Sequence, residues 1–126
     1  MNKILVVDDV SLNLKNISNI LGSRYKLTLV KSGKQALRAL EVEKPNLILL
    51  DVLMPEMDGF ETFEAISRRY GTDIPVIFLT AVDDKDKVIK ILSSPNVIGY
   101  ILKPYNPNDL AERVDKYFLE YATKEF

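Results

Sequence analysis

The chain has 126 residues, a length typical of one domain that buries a hydrophobic core of its own. Its 17 Lys and Arg residues nearly balance its 18 Asp and Glu residues, for a net charge of -1. No basic run of the kind that follows a nucleic-acid backbone is present, so direct binding to nucleic acid is not expected. Cysteine and histidine are both absent, which excludes disulfides, thiolate metal sites and a histidine general base. Any metal ion here is expected to be a hard cation bound by oxygen atoms.

The first apolar run begins directly after Met1 to Lys3, so the sequence predicts no signal peptide. No apolar stretch approaches the ~20 residues that a membrane-spanning helix needs. These two features predict a cytoplasmic location and no membrane association.

Short apolar runs rich in β-branched residues alternate with amphipathic helical patterns five times along the chain. This alternation is typical of βαβ units and a parallel sheet. Gly22 and Pro45 mark the ends of the first two helices. In chain order the predicted elements are strand 4–7, a helix through Leu14, Ile17 and Leu21, edge strand 26–30, helix 33–43, strand 47–50, a helix after Asp58, strand 76–79, helix 83–92, strand 98–102 and helix 107–121.

Four of the predicted strands end at residues with reactive or charged side chains. Asp8 and Asp9 follow the first strand, Asp51 the third, Thr80 the fourth and Lys103 the fifth. In open α/β sheets, ligands bind beyond the carboxyl ends of the strands. The sequence therefore predicts one site with three carboxylates, a hydroxyl and an ammonium, which suits a divalent cation together with a phosphoryl group.

These blocks resemble the receiver domain of two-component response regulators, as in chemotaxis receivers, over nearly the whole chain. The matching stretches are 6–9 (VVDD), 51–59 (DVLMPEMDG), 79–81 (LTA) and 100–104 (YILKP). The resemblance implies an α/β receiver domain over residues 1–121 with a flavodoxin-like, doubly wound, five-stranded parallel sheet in the order 2-1-3-4-5 and five helices. Residues 122–126 are expected to form a C-terminal tail or the start of a linker.

The resemblance also implies a function. A receiver accepts a phosphoryl group from a sensor histidine kinase or a phosphotransfer protein and changes the face formed by its fourth helix, fifth strand and fifth helix. That face then controls an output domain or an effector protein, and phosphorylation-dependent homodimers are possible. Such a domain is not an enzyme toward external substrates, since it catalyses only its own phosphorylation and dephosphorylation.

The chemistry assigns roles to the carboxylates. A carboxylate can attack phosphorus to give an aspartyl phosphate, and Asp51 follows the central strand, so it is the predicted phospho-acceptor. Clustered carboxylates raise each other's pKa unless a cation intervenes, and Mg²⁺ prefers oxygen ligands. By resemblance, Asp9, Asp51 and the backbone carbonyl of Leu53 bind the Mg²⁺ directly, and Asp8 contacts it through water.

The remaining predicted residues bind or sense the phosphoryl group. Phosphoryl transfer spreads charge over three oxygens, which Mg²⁺, the Lys103 ammonium, and the Thr80 hydroxyl with the Ala81 N–H would neutralise. By resemblance, Tyr100 is a switch residue whose ring moves inward when Thr80 is drawn toward the phosphoryl group. An ordinary half-buried strand aromatic is the alternative for Tyr100, and Asp58 is predicted to be only a helix N-cap.

Other functions fit the sequence less well. A haloacid-dehalogenase-type phosphatase needs a second acid two residues after its nucleophile, where this chain has Leu53. A flavodoxin-like flavin site needs a phosphate loop rich in glycine and hydroxyl groups, and an interaction module with a degenerate site would not keep all five groups. Two departures from the family pattern remain. Leu53 and Val82 are apolar where other members often place polar groups, which predicts slow self-dephosphorylation, and the segment before Tyr100 has about one extra residue.

Overall fold

Five strands and five helices alternate along the residues that this computed structural model describes, which are 1–81, 83 and 85–124. Val82, which the sequence singled out, lies outside the described residues. The elements are β1 (Lys3–Val7), α1 (Ser11–Leu21), β2 (Lys26–Val30), α2 (Gly33–Val42), β3 (Leu47–Asp51), α3 (Gly59–Tyr70), β4 (Val76–Thr80), α4 (Lys85–Ile91), β5 (Val97–Leu102) and α5 (Pro107–Lys124).

The strands form one parallel sheet in the order β2-β1-β3-β4-β5. This is the fold class and strand order that the resemblance implies, and the prediction is confirmed. β3 and β4 are buried along their whole length, whereas β2 at the edge is mostly exposed. Strands that are covered on both faces need apolar side chains in both directions, which explains their continuous apolar sequence.

Helices cover both faces of the sheet because successive side chains of a strand point to opposite sides. Leu5 and Val7 of β1 pack on one face with α2, α3 and α4. Ile4 and Val6 pack on the other face with α1 and α5. Over the described part of the chain, no helix is both long enough and apolar enough to cross a membrane.

Two strands, β3 and β4, extend one residue further than predicted at their carboxyl ends. Asp51 and Thr80 are the last residues of β3 and β4, one position beyond the predicted strand ends. Their backbones are therefore held by the sheet, because Asp51 pairs in register with Leu79 and Thr80 with Leu102. A side chain on a paired strand end is aimed more rigidly than one in a loop.

The last helix continues to Lys124, beyond the predicted end at residue 121. Among the described side chains of α5, Phe118 is the buried aromatic and its neighbour Tyr117 is half-buried. Phe118 packs on the ring of Tyr25, with centroids 5.2 Å apart. A helical pattern predicts a buried face but not which of two adjacent aromatics finds the better partner.

The segment before Tyr100 contains an irregularity in the pairing of β4 with β5. Val76 pairs with Val97 and the next residue, Ile77, pairs with Gly99, so that Ile98 is an extra residue in β5. A bulge of this kind bends the edge strand locally. It lies in the segment that the sequence marks as unusual for the family.

Candidate functional site

The carboxyl ends of β1, β3, β4 and β5 lie at one edge of the sheet and bring the predicted site residues together. Asp51 and Thr80 end neighbouring strands, and the strand register places Leu102 beside Thr80. Lys103 follows directly, and its backbone N–H donates a hydrogen bond to the Thr80 carbonyl at 2.8 Å. The parallel sheet is therefore what converts distant sequence positions into one site.

Three carboxylates form an acid cluster, consisting of Asp8, Asp9 and Asp51. Asp8 is fully buried, Asp51 is 2% exposed and Asp9 is partly exposed. One oxygen from each carboxylate lies within 4.8 Å of the other two. Like charges at this separation repel one another unless a positive group compensates them. The acid cluster is thus arranged to attract a cation.

Lys103 supplies part of the compensating charge. Its Nζ donates a hydrogen bond to Asp51 Oδ1 at 2.7 Å and lies 3.5 Å from Asp8 Oδ2. The peptide bond between Lys103 and Pro104 is cis, an isomer that the X-Pro sequence permits. The ammonium of Lys103 therefore joins the ends of β1, β3 and β5.

Asp8 receives further hydrogen bonds from the start of α1. Its Oδ1 accepts the backbone N–H of Val10 at 2.9 Å, and its Oδ2 accepts the side-chain amide of Asn13 at 3.1 Å. Asn13 was not among the residues predicted for the site. A usable signal is present, because a polar amide in the first turn of a helix lies within reach of a carboxylate just before it.

Burial changes the acidity of two groups at this site. It raises the pKa of Asp51 from 3.8 to about 6; Lys103 acts in the opposite direction, and the charges of Asp8 and Asp9 add to the rise. Burial also raises the pKa of Tyr105 to about 12, and the charges of Asp8 and Asp51 add to it. Positive charge delivered to the acid cluster opposes both shifts.

A cleft of about 470 Å³ opens above the acid cluster. Leu53, whose side chain is exposed, and Ala81 line this cleft. The role of the Leu53 backbone carbonyl stays a prediction. The residues that line this cleft are Asp9, Val10, Asp51, Leu53, Met54, Pro55, Ala81 and Lys103.

Thr80 and Tyr100 are less directly engaged than the acid cluster. The Thr80 side chain is buried, and its hydroxyl donates a hydrogen bond to the Ala81 carbonyl at 3.1 Å. Tyr100 is half-buried, pairs with Phe78 across the β4–β5 ladder and packs against the core that includes α4. Its backbone carbonyl accepts a hydrogen bond from Arg113 of α5 at 3.1 Å. Tyr100 is thus held by β4 and α5 and packs against a core cluster to which α4 contributes Val88.

Backbone contacts and a helix cap shape the loop after Asp51, and the sequence predicted only the cap, Asp58. The N–H of Gly59 donates to the Val52 carbonyl at 2.7 Å, and a Cβ at Gly59 would lie 2.3 Å from the Asp51 carbonyl oxygen. Glu56 adopts a positive φ of 66°. Asp58 begins α3 with a capping box, so its predicted N-cap role is confirmed. A glycine immediately after a helix cap is a signal for close backbone approach.

Comparisons with known proteins agree with the fold and identify the family. The sequence profile of the response regulator receiver domain matches residues 4–115. The chain belongs to this family and is a receiver domain of a two-component response regulator, a signalling domain.

Relatives and solved structures support the same assignment. The alkaline phosphatase synthesis transcriptional regulatory protein PhoP of Bacillus subtilis is 36% identical over 114 residues, which cover 89% of this chain and 46% of PhoP. The response regulator protein VraR of Staphylococcus saprophyticus is 37% identical over 117 residues, covering 90% of this chain and 55% of VraR. This chain therefore spans about half the length of these relatives. The crystal structure of a CheY-like receiver domain protein from Methanospirillum hungatei has a TM-score of 0.86 at 27% identity and covers 98% of both chains.

Proposed function

We propose that this receiver takes a phosphoryl group from a phosphohistidine onto Asp51, in a reaction that requires a divalent cation. The donor would be a sensor histidine kinase or a phosphotransfer protein. One observation carries the proposal: the carboxylates of Asp8, Asp9 and Asp51 lie within 4.8 Å of one another while Lys103 holds Asp51 at 2.7 Å.

The donor set of the acid cluster fits Mg²⁺. One oxygen of each carboxylate lies within 4.8 Å of the other two, and Mg²⁺ is typically held by a few carboxylate oxygens together with waters. Asp9, Asp51 and the Leu53 carbonyl would be the direct ligands, and Asp8 would act through water. When bound, the cation would neutralise charge on the phosphoryl oxygens.

The transfer step balances as a displacement at phosphorus. An oxygen of Asp51 forms the new bond to phosphorus, and the bond between phosphorus and the histidine nitrogen breaks. The bonding electrons leave with that nitrogen, which is then protonated from solvent. Because Lys103 binds Oδ1 of Asp51, we assign the attacking role to Oδ2.

The other residues would position and stabilise the transferred group. Lys103 already contacts Asp51 at 2.7 Å. A small movement of its side chain would bring the ammonium to an oxygen of a phosphoryl group attached to Asp51. The Ala81 N–H and the Thr80 hydroxyl would bind another oxygen, after the hydroxyl leaves the Ala81 carbonyl. Fixed donors aimed at developing charge are the main way in which proteins assist phosphoryl transfer.

That rearrangement of Thr80 would carry the signal to the face formed by α4, β5 and α5. A groove of about 810 Å³ lies there, with Tyr100, Leu92 and Arg113 among its lining residues. Tyr100 would move inward as Thr80 is drawn to the phosphoryl group, changing the groove. A partner that binds one form of the groove more tightly would increase the share of molecules in that form. The partner would be an output domain, an effector protein or a second copy of the chain.

The proposal is tested by incubating the protein with Mg²⁺ and a small phosphodonor, then measuring the intact mass. The wild-type protein should gain the mass of one phosphoryl group, and Asp51→Asn should gain none. Omitting Mg²⁺ or adding excess chelator should abolish the gain. The product should be labile to hydroxylamine, because an aspartyl phosphate is an acyl phosphate.

Asp58→Asn is the matched control, since it makes the same change at a carboxylate outside the acid cluster and asparagine caps a helix as well as aspartate does. This variant should be phosphorylated like the wild type. An equal adduct on Asp51→Asn, or none on the wild type, would refute the assignment of Asp51.

A further inference from the structure

The hydrogen bonds around Asp8 show an unusual start to α1. Val10 is the N-cap residue of this helix, and its side chain makes no capping hydrogen bond. Its backbone N–H is bound instead by Oδ1 of Asp8 at 2.9 Å. In a capping box, the third helical residue supplies an acceptor to that N–H. Here the acceptor comes from the acid cluster, and the third helical position is free for another task.

Asn13 occupies that third position, and its side chain donates to the other oxygen of Asp8. The distance from Asn13 Nδ2 to Asp8 Oδ2 is 3.1 Å. Asp8 is fully buried, so both of its oxygens depend on protein donors or a ligand for stabilisation. With Val10 on one oxygen and Asn13 on the other, the plane of the carboxylate is fixed from both sides.

Asn13 and Lys103 approach the same oxygen of Asp8. Lys103 Nζ lies 3.5 Å from Asp8 Oδ2 but only 2.7 Å from Asp51 Oδ1. Because the amide of Asn13 already satisfies Oδ2, the ammonium can remain close to Asp51. An acidic residue at position 13 would repel Asp8 instead, so the amide donor is the chemically suited group.

We propose that Asn13 is a positioning residue that acts through Asp8 and sets the affinity of the acid cluster for Mg²⁺. The inference rests on the proposed function, since it concerns the same cation site. Residues that orient metal-binding groups commonly change metal affinity by 10- to 100-fold when they are removed. Val10 and Lys103 still contact Asp8 when Asn13 is replaced, so an effect near the lower end, about 10-fold, is expected.

The chain offers a matched control on the same helix. Asn16 lies three positions later and lines the same small cleft beside Lys103 as Asn13 does. It is exposed, and its side chain makes no hydrogen bond to Asp8 among the described residues. Asn16→Leu therefore makes the same chemical change without removing a donor from Asp8.

The experiment measures the Mg²⁺ dissociation constant by titration calorimetry for the wild type, Asn13→Leu, Asn13→Ala and Asn16→Leu. Phosphorylation rates with a small phosphodonor are measured over the same range of Mg²⁺. Both Asn13 variants should bind Mg²⁺ about 10-fold more weakly, whereas Asn16→Leu should match the wild type. The rate at saturating Mg²⁺ should stay near the wild-type value, because the side chain of Asn13 donates to Asp8 and not to Asp51, the proposed attacking group. Circular dichroism verifies folding, and Asn13→Ala, which favours helix, serves if Asn13→Leu misfolds.

The inference is overturned if both Asn13 variants bind Mg²⁺ as tightly as the wild type, or if Asn16→Leu weakens binding equally. A lower saturating rate with an unchanged dissociation constant would also overturn it. If the wild-type protein binds Mg²⁺ and is phosphorylated while the Asn13 variants bind normally, this inference fails and the proposed function stands. If the wild type binds no Mg²⁺, both fail.

Discussion

Replacing the central carboxylate should stabilise the metal-free protein at neutral pH. In the folded state, burial and the neighbouring charges of Asp8 and Asp9 raise the pKa of Asp51 from 3.8 to about 6, against the opposing effect of Lys103. The folded protein therefore holds this proton more tightly than the unfolded chain does. Stability from this group is fully present below the unfolded pKa, falls as pH rises from 3.8 to about 6, and stays low above that.

The size of the effect follows from the shift. A pKa that rises from 3.8 to about 6 corresponds to roughly 3 kcal/mol at ~1.4 kcal/mol per unit, lost from the free energy of unfolding at neutral pH. The neutral side chain in Asp51→Asn resembles the protonated acid and avoids this loss. The variant should therefore exceed the wild type by up to about 3 kcal/mol near pH 7.5, and the gap should shrink to less than half near pH 4.

Urea unfolding followed by circular dichroism, in chelator and at several pH values, measures the gap. Adding Mg²⁺ at neutral pH should then stabilise the wild type more than Asp51→Asn, because a ligand stabilises the state that binds it. Asp58→Asn serves as the control and should unfold like the wild type throughout. If Asp51→Asn is not more stable at neutral pH, or if its advantage does not shrink on acidification, the cost assigned to the buried charge is wrong.

Three further substitutions test the loop after Asp51. Gly59→Ala should destabilise the protein by about 2 kcal/mol in urea unfolding, because the new Cβ would lie 2.3 Å from the Asp51 carbonyl oxygen. An unchanged unfolding midpoint would contradict this close approach. Glu56→Gly should raise the free energy of unfolding by up to about 1 kcal/mol, because φ at this position is 66°, a conformation that glycine adopts with less strain than glutamate. A loss of stability would show that contacts of the Glu56 side chain outweigh the backbone strain. Leu53→Gln should speed loss of the phosphoryl group by roughly 10-fold, because an exposed amide in the cleft can orient an attacking water. The loss is followed by intact mass, and an unchanged rate would count against this reason for slow hydrolysis.

The sheet was predictable because its physical requirements leave a clear pattern. A strand covered by helices on both faces must be apolar on both sides, and β3 and β4 show this over their buried lengths. Parallel strands also end at one edge, so Asp51 and Lys103 could be placed together although they are far apart in sequence. The contact between them, at 2.7 Å, confirms that reasoning.

Individual contacts were less predictable, since a pattern assigns a side chain to a face but not to a partner. The sequence could place Thr80 at a strand end, but not show that its hydroxyl bonds to Ala81. It placed Asn13 on a helix without revealing the hydrogen bond to Asp8. The positive φ of Glu56 carries no signal either, because glutamate rarely adopts it. Such details depend on how the loops close around the site.

Burial of the acid cluster lowers the free energy of unfolding at neutral pH, and the same burial favours the binding of a cation there. Burial raises the pKa of Asp51 to about 6, and the charges of Asp8 and Asp9, whose repulsion would be weak in water, add to the rise. A bound cation relieves that repulsion, so binding is favoured by the strain that folding leaves in the site. Lys103 directly follows β5, the strand that carries Tyr100, and its ammonium contacts Asp51 at the end of β3. Lys103 is therefore the side chain that both compensates the charge of the acid cluster and connects it to the end of β5.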